Sequence, residues 1–303
     1  MLAGSLQSSD IAAVLSTSGR INTGFTHDRH KLQDAIMNLQ QQQTLYHQQD
    51  CPDLDHYQAY MVHDRYDPMA LEAAAAEAAR CFPGITPQMA EGLAKSAAAS
   101  EMSRGEQGTR VALDVIKQVI RQMGALAGQH TLVLISPGFI ALTPEATQAK
   151  AQVMDTAAQA NVTVSALDAR GLYTYMLDAG KKGESLVQEQ DRRNSLNTFG
   201  DVMADLASGT GGNYYHNSND LTGGFERLTK APEYLYLLEF SPQGVTQDGT
   251  YHSLKVKVNV KGAKIRSRAG YFAEKPTPVK ASESLGWLAE SDEPFALHPS
   301  YPR

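Results

Sequence analysis

The sequence predicts an α/β fold: a doubly wound, mostly parallel sheet with helices on both faces, followed by an antiparallel β extension. Short apolar runs alternate with helical patterns between residues 131 and 230, which is typical of βαβ units. The apolar run 131–136 ends abruptly in Ser136-Pro137-Gly138, as a buried strand ends at the rim of a sheet. From residue 252 apolar and charged residues alternate, which indicates a half-solvated antiparallel strand.

The composition is that of a globular protein large enough to bury a core. The 303 residues are 42% hydrophobic and 20% charged. The net charge of −6 argues against a general nucleic-acid binder or a protein of anionic membranes. The sequence contains no run of about 18 apolar residues, the length that a membrane-spanning helix needs. Residues 1–19 lack the basic and long apolar regions of a signal peptide.

The first elements lie ahead of the sheet. Residues 10–27 predict two short extended pieces, and a helix is expected over 28–40. Thr26 or Asp28 can cap this helix, because their side-chain oxygens accept hydrogen bonds from its first free N–H groups. Its apolar positions recur with helical spacing at Leu32, Ile36 and Leu39.

Residues 40 to about 100 are predicted to form a mostly helical insertion. A Gln-rich and turn-rich stretch leads into a short helix over 57–66. A stronger helix is expected over 67–81, because Pro68 suits a first turn and the interior is rich in alanine. A long helix over 101–127 then returns the chain to the core.

The sheet region and its extension follow. Thr143 and Pro144 predict the start of the helix after the first strand, and Gly211 and Gly212 are interpreted as C-cap glycines of a later helix. The predicted strands are 131–136, 162–170, 213–217, 234–242, 252–261 and 264–273; the predicted helices of this region are 143–161, 196–212 and 220–230. We therefore expect an α/β domain over 1–230, a β extension over 231–273 and a disordered tail over 274–303 that contains Trp287.

Several stretches together resemble a known family. They are DIAAVLSTSGRINTGFTHDRHKLQDAIMNL, ALAGQHTLVLISPGF, NVTVSALDARGLY, LASGTGGNYYHNSNDL and YLYLLEFSPQGVTQDGTYHSLKVKV followed by RSRAGYF. In this order, over most of residues 10–273, they resemble the von Willebrand factor A-related domain family of the Acidobacterial type. The resemblance implies the fold above, export across the cytoplasmic membrane and a periplasmic or secreted location.

The resemblance also bears on the two cysteines, Cys51 and Cys81. Their spacing alone leaves both two free thiols and a disulfide open. In relatives of this type a cysteine pair flanking a helical insertion is common, so the resemblance implies a disulfide between them.

A von Willebrand A domain often carries a metal-ion-dependent adhesion site, with Asp-x-Ser-x-Ser after the first strand, a Thr on a second loop and an Asp after a later strand. These hard oxygen ligands suit Mg²⁺ or Ca²⁺. Here the first element is missing, Thr26 matches the Thr position and Pro137 stands in place of a carboxylate. We therefore expect no working metal site and no cofactor, and an N-terminally shortened chain whose first strand lies upstream of Met1.

Other chemistries have weaker support. Ser136 could be a nucleophile, but no G-x-S-x-G motif surrounds it. His27 and His30 have zinc-ligand spacing but are more simply explained as exposed polar residues. The sequence 208–212 precedes a strand, the reverse of a phosphate-binding loop, and the basic residues between Lys255 and Arg268 are typical of a solvated edge strand.

The sequence thus favours a non-enzymatic, extracytoplasmic interaction or adhesion module whose partner is another protein. Two alternatives remain: an adhesion domain dependent on Mg²⁺ or Ca²⁺ whose missing ligands lie upstream, and a hydrolase. Binding would use the rim of the sheet and the insertion. The rim residues are Thr26, Ser136, Pro137, Gly138, Phe139, Asp168 and Arg170, with the loop from Asp168 to Leu172.

Overall fold

The computed structural model describes residues 6, 10–39, 51–173, 186–229, 251–257, 259 and 270–272. The chain divides into two compact units, one made of 1–238 and 253–271 and a small one made of 239–252 and 272–303. The first unit contains nearly all the described residues. The predictions for 234–242 and for the tail with Trp287 lie outside the described residues.

A parallel sheet forms the centre of the first unit. Its strands are β1 (His130–Ser136), β2 (Val162–Asp168) and β3 (Tyr214–Tyr215), in the order β1-β2-β3. The β1–β2 register runs one to one from His130 opposite Val162 to Ser136 opposite Asp168. The carboxyl ends of β1 and β2 therefore meet side by side, and the parallel sheet flanked by helices that the sequence predicted is confirmed.

Seven helices are described, and six begin at a side chain that caps them. Asp28, Asp55, Asp67, Thr86, Thr143 and Asp220 each accept a hydrogen bond from a first free N–H group of a helix. Three of these helices have proline in the first turn. The helices are α1 (Arg29–Met37), α2 (His56–His63), α3 (Pro68–Cys81), α4 (Pro87–Gly124), α5 (Pro144–Gln159), α6 (Leu186–Thr210) and α7 (Leu221–Thr229).

Helix α4 is much longer than predicted. It contains 38 residues and begins at Pro87 rather than at 101, because Thr86 caps it and no breaker interrupts it near residue 100. Its first half contacts α2 and α3, and its second half contacts the sheet and α5. One helix therefore belongs both to the insertion and to the sheet core. No helix in the described ranges has the length and apolar character needed to cross a membrane.

The main hydrophobic core lies between the sheet and helices α4, α5 and α6. Side chains of β2 are almost fully buried there, as expected for an inner parallel strand. The buried members of this core are Leu113, Ile116, Ile120, Met123, Ala141, Val153, Ala157, Val162, Val164, Val202 and Leu206.

A second core holds the insertion together through small side chains. Buried alanines recur every fourth residue on α3 and on α4, so the two helix backbones pack closely. Its buried members are Ala59, Val62, Ala70, Ala74, Ala94, Ala98 and Met102. Cys51 and Cys81 form a disulfide that links the start of the described insertion to the end of α3, with their Cα atoms 6.3 Å apart, within the usual range for a disulfide.

Residues 10–27 fold back on themselves. Ala12 pairs with Thr26 and Leu15 with Asn22 in antiparallel bridges, and Phe25 anchors this hairpin against the main core. Ala12, Val14 and Ser16 form backbone hydrogen bonds with the returning segment 21–26. In the described part of the chain, residues 12–16 do not pair with β1.

The two glycines after α6 end that helix. Gly211 has a φ of 80°, the left-handed conformation expected of a residue that ends a helix. The Gly211 N–H donates to the Ser208 carbonyl oxygen at 3.3 Å and the Gly212 N–H to the Ala207 carbonyl oxygen at 2.7 Å, the two hydrogen bonds of a Schellman C-cap, so the interpretation of both as C-cap glycines is confirmed. Gly212 is in addition a point of close approach, because a Cβ there would lie 1.9 Å from the Val164 carbonyl oxygen of β2.

The β extension is described only in part. Strands β4 (Tyr251–Ser253) and β5 (Gly270–Phe272) form a separate two-stranded sheet. Strand β4 covers only the start of the strand predicted over 252–261. The antiparallel arrangement of the whole extension stays a prediction.

We predict that Gly212→Ala destabilises the protein by about 1–3 kcal/mol, because the added Cβ would displace α6 from β2. Gly92→Ala is the matched control: it lies inside α4 with no heavy atom within 4 Å of the added Cβ, and should stabilise by about 0.5–1 kcal/mol. Urea denaturation measures both, and equal effects of the two variants would contradict this account.

We also predict that Cys51→Ser with Cys81→Ser destabilises the protein by about 3–4 kcal/mol, since the disulfide closes a long loop over a sequence separation of 30. Thermal unfolding with and without reductant should show the same loss in the unmodified protein. The double variant should be insensitive to reductant, and an unchanged midpoint would show that the disulfide contributes nothing.

Candidate functional site

The rim of the sheet is built from the segments that follow β1, β2 and β3. The first two are tied together at once, because the Ala169 N–H donates to the Ser136 carbonyl oxygen at 2.8 Å. The Ser136 hydroxyl oxygen accepts from the Gly138 N–H at 3.0 Å and closes a tight turn. Ser136 therefore shapes the backbone at the end of β1.

The loop after β1 is held against two helices. Gly138 has a φ of 99°, and a Cβ there would lie 2.2 Å from the Phe199 carbonyl oxygen of α6. The Thr109 hydroxyl of α4 donates to the Ile140 carbonyl oxygen at 2.8 Å in a buried setting. Phe139 packs against the main core and Pro137 is exposed. This part of the rim is thus a fixed turn with a proline at its surface.

Asp168 is the buried charge of the rim. Its side chain has no exposed surface, so its carboxylate needs donors from the protein. Arg170 supplies its backbone N–H at 3.0 Å, Nε at 2.9 Å and Nη2 at 2.6 Å. The Tyr214 hydroxyl of β3 donates at 3.2 Å. Both oxygens of the carboxylate are therefore satisfied by the second and third strands and their loops.

Arg170 joins this carboxylate to α6 and to the surface. Its Nη1 donates to the Leu196 carbonyl oxygen at 2.7 Å, and its guanidinium carbon lies 4.7 Å from the centre of the Tyr173 ring. A Cβ on Gly200 would lie 3.4 Å from Nη2 and 2.7 Å from the Tyr214 hydroxyl. The lack of a side chain at position 200 therefore leaves room under α6 for the Tyr214 hydroxyl beside the ion pair.

The electrostatics of the cluster are those of a closed ion pair. Burial by itself would raise the pKa of Asp168, but the hydrogen bonds and charge of Arg170 outweigh it and hold that pKa below its ordinary value. The hydrogen bonds with Asp168 raise the pKa of Arg170. Burial, followed by the charge of Asp168, raises the pKa of Tyr214, which stays protonated as a donor.

Two asparagines hold the loop that follows Arg170. Asn219 accepts from the Leu172 N–H at 2.8 Å, and Asn217 accepts from the Tyr173 N–H at 3.3 Å. Gly171 has a φ of 76°, and a Cβ there would lie 2.8 Å from the Asn219 side-chain oxygen. The Leu172 side chain is 52% exposed although its backbone is fixed. The loop therefore presents an apolar side chain from a held backbone.

The structure brings most of the predicted rim residues together. Thr26 is the exception, because its described hydrogen bonds go to residues outside the rim. Ser136 and Asp168 are register partners, with Pro137 to Phe139 and Arg170 on the adjoining loops. Thr26 pairs through its backbone with Ala12, and its hydroxyl oxygen accepts from the Asp28 N–H at 3.1 Å. No hydrogen bond among the described residues joins Thr26 to Ser136 or Asp168, so its place in the rim stays a prediction.

Sequence reasoning did not assign Tyr214, Asn217 and Asn219 to this site. The only signal was the Tyr- and Asn-rich composition of 213–220, which suits recognition loops. Composition does not show which strand lies beside β2. Only the parallel pairing of β2 with β3 places Tyr214 over Asp168.

The donor set of the rim does not suit a divalent cation. A hard cation needs free carboxylate or hydroxyl oxygens, whereas both oxygens of Asp168 accept from Arg170. The guanidinium would also repel a metal ion at this position. Within the described ranges, no three His, Cys, Asp or Glu side chains come together as metal ligands.

A narrow cleft lies between α2, α4 and the start of α5. Its volume is about 10 Å³, close to the space of one water molecule. Burial raises the pKa of Asp55 and lowers the pKa of His56, which lines the cleft. Asp55 is nonetheless engaged, since it caps α2 and accepts from the Ser195 hydroxyl at 2.7 Å. The rim is therefore the better candidate site.

Fold and site together define an α/β protein with a parallel sheet and a neutralised ion pair at its rim. No family model, curated protein or solved structure matches this chain. The resemblance to the von Willebrand factor A-related family accordingly rests on the sequence motifs alone.

We predict that Asp168→Asn destabilises the protein by about 3–5 kcal/mol at neutral pH, because it leaves Arg170 buried without its counter-charge. Asp205→Asn is the control, since the half-exposed ion pair of Asp205 with Lys150 should contribute under about 1 kcal/mol.

The stability difference between wild type and Asp168→Asn should depend on pH, and the lowered pKa of Asp168 gives the direction of this dependence. A carboxyl whose pKa is lowered on folding stabilises the protein above its unfolded pKa, and this contribution is lost as the pH falls. The stability gap between wild type and Asp168→Asn should therefore narrow below about pH 4. Urea denaturation between neutral and acidic pH measures it, and a constant gap would show that Asp168 does not carry this charge.

Proposed function

We propose that this chain is a non-enzymatic protein-interaction module that works outside the cytoplasm and contacts another protein with its sheet rim. We further propose that its fold is the doubly wound von Willebrand A type, with a degenerate metal site and an antiparallel C-terminal extension. The observation that carries the function is the closed network of Asp168, Arg170 and Tyr214 beneath the exposed loop 169–173.

The chemistry of this network favours contact over catalysis. A general base needs a carboxylate that can take up a proton near neutral pH, whereas the pKa of Asp168 lies below its ordinary value. The Ser136 hydroxyl accepts from the Gly138 N–H, and no histidine is hydrogen-bonded to it among the described residues. An activated nucleophile would need such a base within hydrogen-bond reach.

The surface of the rim suits a protein partner. Leu172 and Pro137 expose apolar groups, and His216 is exposed directly after β3, on the third loop of the rim. Asn217 and Asn219 use their side-chain oxygens to hold the loop, and their NH₂ groups donate to no described residue. An apolar centre with polar donors at its margin is the usual composition of a protein interface. Because the loop is already held, little conformational entropy is lost on binding.

The disulfide supports the location. Disulfides persist in oxidising compartments and are rare in a reducing cytoplasm, and Cys51 is bonded to Cys81 across the insertion. This agrees with the export that the family resemblance implies.

We predict that a photo-crosslinking residue at position 172 forms adducts with envelope or secreted proteins of the source cells. The same residue at Leu126, 36% exposed and just before β1 at the opposite end of the sheet, is the matched control. Excess unlabelled wild-type protein should compete for the adducts, and Leu172→Asp should not, because it puts a charge in the contact. Equal labelling from position 126, or equal competition by Leu172→Asp, would contradict the proposal.

The two alternative functions give distinct results. Binding of Mg²⁺ or Ca²⁺ in isothermal calorimetry would favour the metal-dependent adhesion domain over the proposed module. Ester or phosphoester hydrolysis abolished by Ser136→Ala would favour the hydrolase. Either result would overturn the assignment of the rim to contact alone.

A further inference from the structure

Helix α2 begins at a histidine that is almost fully buried. His56 is 8% exposed, and its ring lies so close to the backbone of α4 that a Cβ at Gly105 would be 2.4 Å from Nδ1 and 2.6 Å from Cε1. No water molecule fits between the ring and α4 at this point. An imidazolium held here would lose part of its hydration, which is costly for a charged group.

The same ring stands where the insertion meets the sheet region. His56 lines the narrow cleft between α2, α4 and the start of α5. The neighbouring residue, Asp55, joins the start of α2 to α6 by accepting from the Ser195 hydroxyl at 2.7 Å. The loop after β1 and the start of α5 bring no ionisable side chain to the cleft; their lining residues are Ile140, Leu142, Thr143 and Ala146.

Three carboxylates act on His56 through their charge. Glu106 of α4 lines the same cleft, and Asp55 and Asp64 cap the two ends of α2. Each of them favours a protonated ring, but burial has the larger effect and lowers the pKa of His56 below its ordinary value. The closed arrangement of α2 on α4 therefore favours the neutral ring.

We propose that protonation of His56 releases the first turn of α2 from α4 and from the loop after β1, so that mild acid loosens the insertion from the sheet region. In the released state the ring is hydrated and takes up a proton near the ordinary histidine pKa of about 6.5. In the closed state it takes up the proton only at a lower pH. The stability of the closed state is therefore constant well above pH 6.5 and is lost as the pH falls below it.

This release is independent of the proposed function, because it needs no partner at the rim. Asp55 does not produce it. Burial raises the pKa of Asp55, so the uptake of a proton by its carboxyl favours the closed state and opposes the release. The loss of stability on mild acidification is therefore assigned to His56.

Hydrogen exchange measured by mass spectrometry on the full chain tests the release. The reporter is the peptide over 55–63, in which the Gln58 and Ala59 N–H groups donate to Asp55. Its protection, corrected for the effect of pH on chemical exchange, should fall about tenfold between about pH 7.5 and about pH 5.5, because the released ring is mostly protonated one unit below its pKa. The peptide over β2 should lose less protection, and an equal loss there would mean global unfolding and overturn the proposal.

Two histidines of the same helix provide matched variants. His56→Gln should abolish the acid-dependent loss of protection, because a glutamine side chain takes up no proton in this range. His63→Gln is the control, since the His63 side chain is 48% exposed at the other end of α2, and it should keep the tenfold loss. An acid-dependent loss that persists in His56→Gln would refute the release.

A second pair of variants leaves His56 in place. Glu106→Gln removes the α4 carboxylate that favours the protonated ring in the closed state, so the loss of protection in mild acid should become larger. Glu91→Gln, half-exposed on the same helix beside Lys95, should leave the loss as in wild type. If His56 were only a packing residue, these two variants would share one pH dependence, and that outcome would contradict the proposal.

Discussion

The buried carboxylate of Asp168 is the constraint on which the rim depends. A charge without exposed surface must be neutralised inside the protein, and each partner of Asp168 fixes a different element. Arg170 folds the loop after β2 back over the strand end and reaches the α6 backbone at Leu196. Tyr214 requires β3 to lie beside β2 in its observed register. A Cβ at position 200 of α6 would lie 2.7 Å from the Tyr214 hydroxyl oxygen and would displace it.

The insertion is joined to the sheet region by polar contacts as well as by packing. Asp55 begins α2 and accepts a hydrogen bond from Ser195 of α6, although the two residues are 140 positions apart in the sequence. His56 packs so closely on α4 that a Cβ at Gly105 would lie 2.4 Å from its ring. The cap of one short helix thus also sets its position against two long ones.

The helices and strands whose formation depends on residues close together in the sequence could be predicted. Strands β1 and β2, and the start of α5 at Thr143 and Pro144, follow from apolar runs and from capping and proline preferences that act over a few residues. The early start of α4 was missed because its alanine- and glycine-containing first half lacks an apolar stripe of large residues. For the site, Asp168 and Arg170 were predicted as rim residues, but their mutual bond and its link to Tyr214 depend on strand order and burial. The second role of Gly212 likewise depends on how close α6 comes to β2.

Helix α4 gives the molecule a fixed internal length. A continuous helix of 38 residues spans about 57 Å at its normal rise, from the disulfide-closed end of the insertion to the sheet. The helix runs without a break through residue 100, so α4 offers no interruption at which the insertion could hinge against the sheet core. A partner at the far end of the insertion would therefore lie one helix length away from the sheet.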